Sequence, residues 1–311
     1  MKVLIVGGSG FLGGELVRQC AAAGHEAGAT YLTRPGEAAQ ARWLRLDVRR
    51  RDDVAAVLDA FRPEVTINAA YRQSDWASTA DGAAHVAVAV ARLGRRQGGR
   101  LVHVSTDAVF SGAKALYDET CPPDPVNAYG AAKAAAETAV RAVLPGAAIV
   151  RTSLIIGHGE SVHEARVRSL ISGSGPGVLF TDDVRCPVHV SDLAAALLEV
   201  AAWTDDGVVQ AAGPAGGVPH TAGQTGEVAH TPGHGGVLHV AGVDAVSRYE
   251  LGVLIARRDG LDETRLPAGR RADSGVPGPL EVRLDCSATQ RRLRTRLRGA
   301  HEFLSPPGAG F

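Results

Sequence analysis

A glycine cluster placed directly after a short β-rich segment constrains this chain more than any other feature. Lys2–Val6 is a β-rich run, Gly7-Gly8-Ser9-Gly10-Phe11-Leu12-Gly13 follows it, and Phe11–Ala23 carries apolar residues at helical spacing until Gly24 stops it. The glycines read as Gly8-x-Gly10-x-x-Gly13 or as Gly7-x-x-Gly10-x-x-Gly13. In either reading a strand turns tightly into a helix, the backbone leaves room for a pyrophosphate, and the free N–H groups of the helix start favour an anion. The strand before and the helix after give the motif the context of a dinucleotide-binding turn. Gly7, Ser9, Gly10, Phe11, Leu12 and Gly13 are the expected cofactor contacts.

The rest of the first half repeats this alternation. Strand-like runs at Glu26–Leu32, Trp43–Val48, Val65–Ala70, Arg100–Ser105 and Ala147–Thr152 are mostly separated by helical stretches at Asp52–Phe61, Ser78–Gln97 and Tyr129–Val143, with Asp52 as a cap. The pattern predicts an α/β fold, a Rossmann-type doubly wound parallel sheet over residues 1–152, followed by a smaller C-terminal α/β substrate region over 153–311. Segments near 185–212 and 237–258 are expected to return partly to the first domain. In the second half Ser161–Ser172 and Ser191–Ala202 read as helices, the latter capped by Ser191. Ala212–Gly236 is a Gly/His-rich loop, and Val237–Ala241, Ser247–Arg257 and Leu280–Leu284 restore order. His220, His230 and His234 fit no standard ligand spacing, so no metal is expected.

Composition narrows the partners. The 311 residues carry 33 basic and 33 acidic side chains without basic blocks, which argues against a nucleic-acid or membrane-surface protein. The absence of a run of about 18 apolar residues, and a start that reads as a strand and not a signal peptide, make a cytoplasmic protein the expectation. Cys20, Cys121, Cys186 and Cys286 are widely spaced and read as isolated buried thiols. Only Lys2, Lys114 and Lys133 are lysines, so each deserves a reason in a chain that otherwise uses arginine.

The end of the second strand should select the dinucleotide. Tyr31-Leu32-Thr33-Arg34 holds no acid to bind a ribose 2′-hydroxyl, and Arg34 beside Thr33 favours the 2′-phosphate of NADP(H), with NAD(H) as the alternative and a solvated surface arginine as the plain reading. Asp47-Val48 and Asn68-Ala69-Ala70, with Tyr71, stand at carboxyl ends of strands, where such sheets bind ligands; Asp47 suits an adenine amino group or caps the next helix. Tyr129 and Lys133 lie at i and i+4 on one helix face. A neighbouring ammonium would lower a phenol pKa and let the tyrosine give a proton to a carbonyl oxygen as hydride reaches its carbon. A hydroxyl to hold that carbonyl is available at Ser105 or Thr106.

Gly7-x-x-Gly10-x-x-Gly13, Asn68-Ala69-Ala70, Ser105-Thr106-Asp107-Ala108-Val109-Phe110 and Tyr129-x-x-x-Lys133 together resemble the extended short-chain dehydrogenase/reductases. Glu119-Thr120 and Pro125-x-Asn127-x-Tyr129-Gly130 make the dTDP-4-dehydrorhamnose reductase branch the most similar, strongly over residues 1–155 and weakly through Cys186–Ala194 and Leu284–Ser287. The resemblance implies an NADPH-dependent reductase of a 4-keto nucleotide sugar or related intermediate. Thr106, Tyr129 and Lys133 would be its catalytic triad, Ser105 the second choice for the hydroxyl, and Lys133 a ligand of the nicotinamide ribose. Arg72, Trp76, Asp107, Val109 and Arg185 are the candidate substrate contacts, and Tyr71-Arg72-Gln73-Ser74-Asp75-Trp76 departs from the acidic segment common in that branch. An epimerase or dehydratase of the same superfamily, and a non-catalytic NADP-binding regulatory subunit, are the alternatives; a homodimer is left open.

Overall fold

The computed structural model describes residues 1–71, 75–97, 99–203 and 235–305. Seven parallel strands form its central sheet: β1 (Lys2–Val6), β2 (Glu26–Tyr31), β3 (Arg42–Arg45), β4 (Val65–Asn68), β5 (Arg100–Thr106), β6 (Ala148–Thr152) and β7 (Gly236–His239). Their spatial order is β7-β6-β5-β4-β1-β2-β3, the doubly wound arrangement in which the order reverses beside β1. The runs at 43–48 and 65–70 end sooner than their apolar patterns suggest, because residues 47–48 and 69–70 already belong to the turns above the sheet.

Both faces of the sheet are covered, so β1 is apolar at every position after Lys2. Val3 and Ile5 pack into one cluster with α1 (Phe11–Ala22) and with Leu193, Leu197 and Val200. Leu4 and Val6 face the other way, onto α2 (Arg51–Phe61) and α3 (Trp76–Gln97). Helix α4 (Ala128–Val143) adds Ala136 and Val140 to that second face. Phe61 is fully buried there, and its ring reaches β2, where a Cβ on Gly28 would come within 2.7 Å of it.

A separate apolar cluster forms beyond the sheet between α5 (Val162–Ile171) and α7 (Arg248–Arg258), around Val167, Leu170, Leu251 and Ile255. Helix α6 (Val190–Ala202) returns to pack on α1. Two expected caps move. Ser191 does not start α6: His189 is the cap, its Nδ1 accepting from the Ser191 amide and lying 2.6 Å from the Ser191 hydroxyl. Asp52 lies in the first turn of α2, whose cap is Arg50. Within Leu280–Leu284 only Arg283–Leu284 is a strand, pairing with Leu116–Tyr117. The thiols also divide, with Cys20 and Cys186 buried but Cys121 and Cys286 only half-buried. Of the Gly/His-rich loop, 212–234 and its three histidines lie outside the described residues, and Gly236 opens β7.

Phe61→Ala would leave a void between β2 and α2 and should cost about 3–5 kcal/mol; denaturant unfolding followed by circular dichroism should show a lower midpoint with a native far-ultraviolet spectrum.

Candidate active site

The glycine turn owes its shape to missing side chains. Gly7 takes a φ of 88°, a Cβ on Gly13 would lie 2.1 Å from the Gly7 carbonyl oxygen, and the Gly10 amide donates to that oxygen at 3.0 Å. Gly7 is fastened to the neighbouring strand by its own amide, which donates to Thr30 Oγ1 at 3.0 Å. Helix α1 starts at Gly10 without any side-chain cap, so its first amides are left to an incoming anion.

A cavity of about 780 Å³ opens over this turn and runs across the carboxyl ends of β1, β4 and β5. Gly7, Ser9, Gly10, Phe11, Leu12 and Gly13 line one end. Asp47, Val48, Ala69, Ala70 and Tyr71 line it as well. Asp47 accepts from Arg49 Nε at 2.9 Å and Nη2 at 2.6 Å, and these bonds hold its carboxyl down at about 2. Thr33 and Arg34 are exposed and stand outside the lining, beyond the end of β2, while Arg49 is inside it.

The middle of the cavity is where β5 meets α4. Asn127 caps α4 by accepting the Gly130 amide at 2.8 Å. Gly130 then lets the first turn settle on the Asp107–Val109 loop, since a Cβ there would lie 2.0 Å from the Ala108 carbonyl oxygen. That approach brings the Tyr129 phenol beside Thr106, whose Oγ1 accepts the Ala108 amide at 3.2 Å. Ser105, Thr106, Asp107, Tyr129 and Lys133 all line this part.

The electrostatics differ from the simple tyrosine–lysine picture. Burial pushes the Tyr129 phenol well above its usual range, the neighbouring Thr106 hydroxyl opposes it only in part, and Lys133 is not among the groups acting on it. The Lys133 ammonium points instead to β5 and donates to Val104 O at 2.7 Å. Burial lowers it to about 8, with Glu137 pulling it back up. The expected lowering of the phenol by Lys133 is therefore not met in this arrangement. Ser105 is turned away from the cavity chemistry, donating to Glu137 Oε1 at 2.5 Å, which leaves Thr106 as the hydroxyl beside the phenol.

The far end brings the expected Arg185 and Asp107 together with residues the sequence does not single out. Asp183 is fully buried and holds Arg185 at 2.9 Å, Arg248 at 3.5 Å and Arg271 in direct contact. Arg185 lines the cavity, but its guanidinium donates to Val184 O, Pro279 O and Leu280 O and braces the wall. Arg248 and Arg271 line the same end with His163, which burial and Arg248 press down to about 3 and so keep neutral. Asp107 lies nearby, accepting from Ser153 at 2.6 Å. Three arginines face two carboxylates, an excess of positive charge that suits an anionic ligand.

Two expected substrate contacts are corrected. Val109 is fully buried in a core cluster with Phe110, Tyr117 and Val282, because the turn after β5 rotates it inward. Trp76 is 46% exposed and outside the cavity lining, at the start of α3. Arg72 lies outside the described residues.

Residues 1–226 match the family model described as the RmlD substrate binding domain. The chain belongs to this family. It is 31% identical over 290 residues to dTDP-4-dehydrorhamnose reductase of Mycobacterium tuberculosis, spanning 89% of this chain and 82% of that protein. It is 35% identical over 218 residues to a probable dTDP-4,6-dihydroxy-2-methyloxan-3-one 4-ketoreductase of Streptomyces antibioticus, covering 64% and 67% of the two. Among solved structures, Bacillus anthracis dTDP-4-dehydrorhamnose reductase in complex with NADP superposes with a TM-score of 0.72 at 22% identity, covering 97% and 96% of the chains, a likeness of fold. Membership makes the chain an oxidoreductase of the short-chain dehydrogenase/reductase superfamily, and the glycine cradle fits the nicotinamide dinucleotide such enzymes use.

Gly13→Ala should weaken NADPH binding at least about tenfold, a loss of roughly 1.4 kcal/mol, with the fold retained; titration of nicotinamide fluorescence checks this.

Proposed function

We propose that the chain reduces the ketone of a 4-keto nucleotide sugar, with NADPH preferred and NADH as the alternative. One juxtaposition carries the reading: the neighbouring hydroxyls of Thr106 and Tyr129 stand in a single cavity between the glycine turn and the Arg248–Arg271 end. The reductase and ketoreductase relatives support it.

Seated on the glycine turn, the dinucleotide would supply the hydride. Tyr129 supplies the proton: its phenol stays protonated at neutral pH, and a strongly basic alkoxide developing at the carbonyl oxygen can take that proton. Thr106 holds the same oxygen by turning its hydroxyl from Asp107, to which it donates at 3.3 Å. Lys133, one helical turn along, would hold the nicotinamide ribose by giving up its bond to Val104 O. Arg248 and Arg271 receive the anionic part of the substrate, with Arg185 and Asp183 as their fixed base. On this reading the region from 153 onward supplies most of the substrate contacts.

The NADP preference rests on Arg34. Arg49, the guanidinium within the adenosine end, is engaged by Asp47, so a 2′-phosphate would be met from the rim by the exposed Arg34 beside Thr33.

Tyr129→Phe should lower kcat by about 10²–10⁴-fold with NADPH still bound, measured with dTDP-4-dehydrorhamnose as substrate; unchanged turnover would remove Tyr129 as the proton donor. Arg34→Ala should raise the Kd for NADPH about tenfold and leave that for NADH unaltered, and equal effects on both would overturn the NADP assignment.

A further inference from the structure

Behind Lys133 lies an ion pair that does not line the cavity. Glu137 and Arg151 are 2% and 1% exposed, and two nitrogens of the guanidinium grip the carboxylate, Nε at 3.0 Å and Nη2 at 2.8 Å. Arg151 also donates to Cys121 O at 3.0 Å and sits over the Phe110 ring at 5.0 Å. The pair thereby ties α4, β6 and the loop before α4 together, and Ser105 adds β5 through its 2.5 Å bond to Glu137.

We propose that Glu137, balanced by Arg151, is a positioning residue that sets the placement and charge state of the Lys133 ammonium. The proposal rests on the reading of Lys133 as part of the catalytic group. Two facts of geometry carry it. Glu137 follows Lys133 by four residues, so both side chains project from one face of α4. Both also anchor on consecutive residues of β5, Lys133 on Val104 O and Glu137 on Ser105 Oγ, one residue before Thr106. Any shift of the carboxylate therefore reaches the ammonium through a single peptide unit as well as through space.

Electrostatics adds to this. Glu137 is the group that resists the downward pull of burial on Lys133. The other groups facing Lys133 do not replace it. On β5, His103 is fully buried and held neutral by burial and by Lys133 itself, and it meets Asn68 of β4 at 3.3 Å. Tyr129, on Lys133's own helix, is kept protonated, while Asp107 beyond β5 is engaged by Ser153 and Arg185. From β6 the nearby charge is Arg151, which is held by the Glu137 carboxylate at 2.8 Å. Helix α3 contributes Ala83, Val86, Ala87 and Val90 to the apolar cluster it shares with α4.

The scarcity of lysine makes a direct test available. With Lys2, Lys114 and Lys133 the only lysines, protein labelled with ¹³C at lysine Cε gives three signals, and Lys133→Met assigns the third. In the intact ligand-free protein Lys133 should titrate at about 8. Glu137→Gln should lower that midpoint by about one pH unit, Arg151→Gln should raise it by about as much, and Glu137→Asp should hold it near the parent value. A pair that merely glues elements together would destabilise the fold in both neutral variants without moving the midpoint. An unmoved midpoint, or movement in the same direction in both, overturns the proposal. Circular dichroism identifies a variant that fails to fold; the remaining one, or the doubly neutral Glu137→Gln/Arg151→Gln protein with its midpoint returned toward the parent, then decides. These titrations need no substrate. If Lys133 responds as stated while Lys133→Met and Tyr129→Phe leave turnover intact, the ketoreductase reading fails and the coupling stands.

Discussion

The approach of helix α4 to strand β5 is the constraint on which the site depends. A side chain at position 130 would collide with the Ala108 carbonyl oxygen, so the absence of one lets the helix start settle directly on the turn that follows β5. Asn127 fixes the first turn and Lys133 ties the second to Val104. The Glu137–Arg151 pair and Ser105 secure the third. With those ties in place Tyr129, at the start of α4, and Thr106, at the end of β5, stand side by side. Removing one member of the buried pair would strand the other charge, which makes this clamp costly to break as well as tight.

The cavity above that clamp combines two opposite electrostatic solutions. At the dinucleotide end the anion is met by backbone, glycines and a helix start with no side-chain cap, while Asp47 is occupied by Arg49. At the far end the anion is met by arginines gathered on one buried carboxylate, Asp183, with a neutral His163 beside them. The protonated phenol lies between the two, away from both charges. Burial raises the Tyr129 pKa and lowers that of Lys133, so in the ligand-free site it favours the uncharged form of both.

What the sequence makes legible follows locality. The glycine turn, the Tyr129–Lys133 spacing and the hydroxyls ending β5 are each local in the sequence, and all of them line one cavity. The sheet is legible for the same reason, as each crossover repeats a local pattern. The Arg248–Arg271 end is not, because its parts come from separate segments and an arginine carries little signal in a chain with only three lysines. Val109 misleads because strand alternation breaks at the turn after β5, and Ser191 because a histidine two residues earlier competes for the cap. The direction of the Lys133 side chain depends on the carbonyl of Val104 across the helix–sheet interface, which no spacing reveals.

The account turns on hydride reaching a ketone beside Tyr129, and isotope transfer tests that step most directly. With NADPH deuterated at its transferable C4 position and a thymidine diphosphate 4-keto-6-deoxyhexose, NMR of the product should show deuterium on the sugar C4 carbon in a single configuration. Oxidation of the cofactor without label on the sugar, or recovery of the ketone unreduced from a protein that binds both molecules, would contradict it.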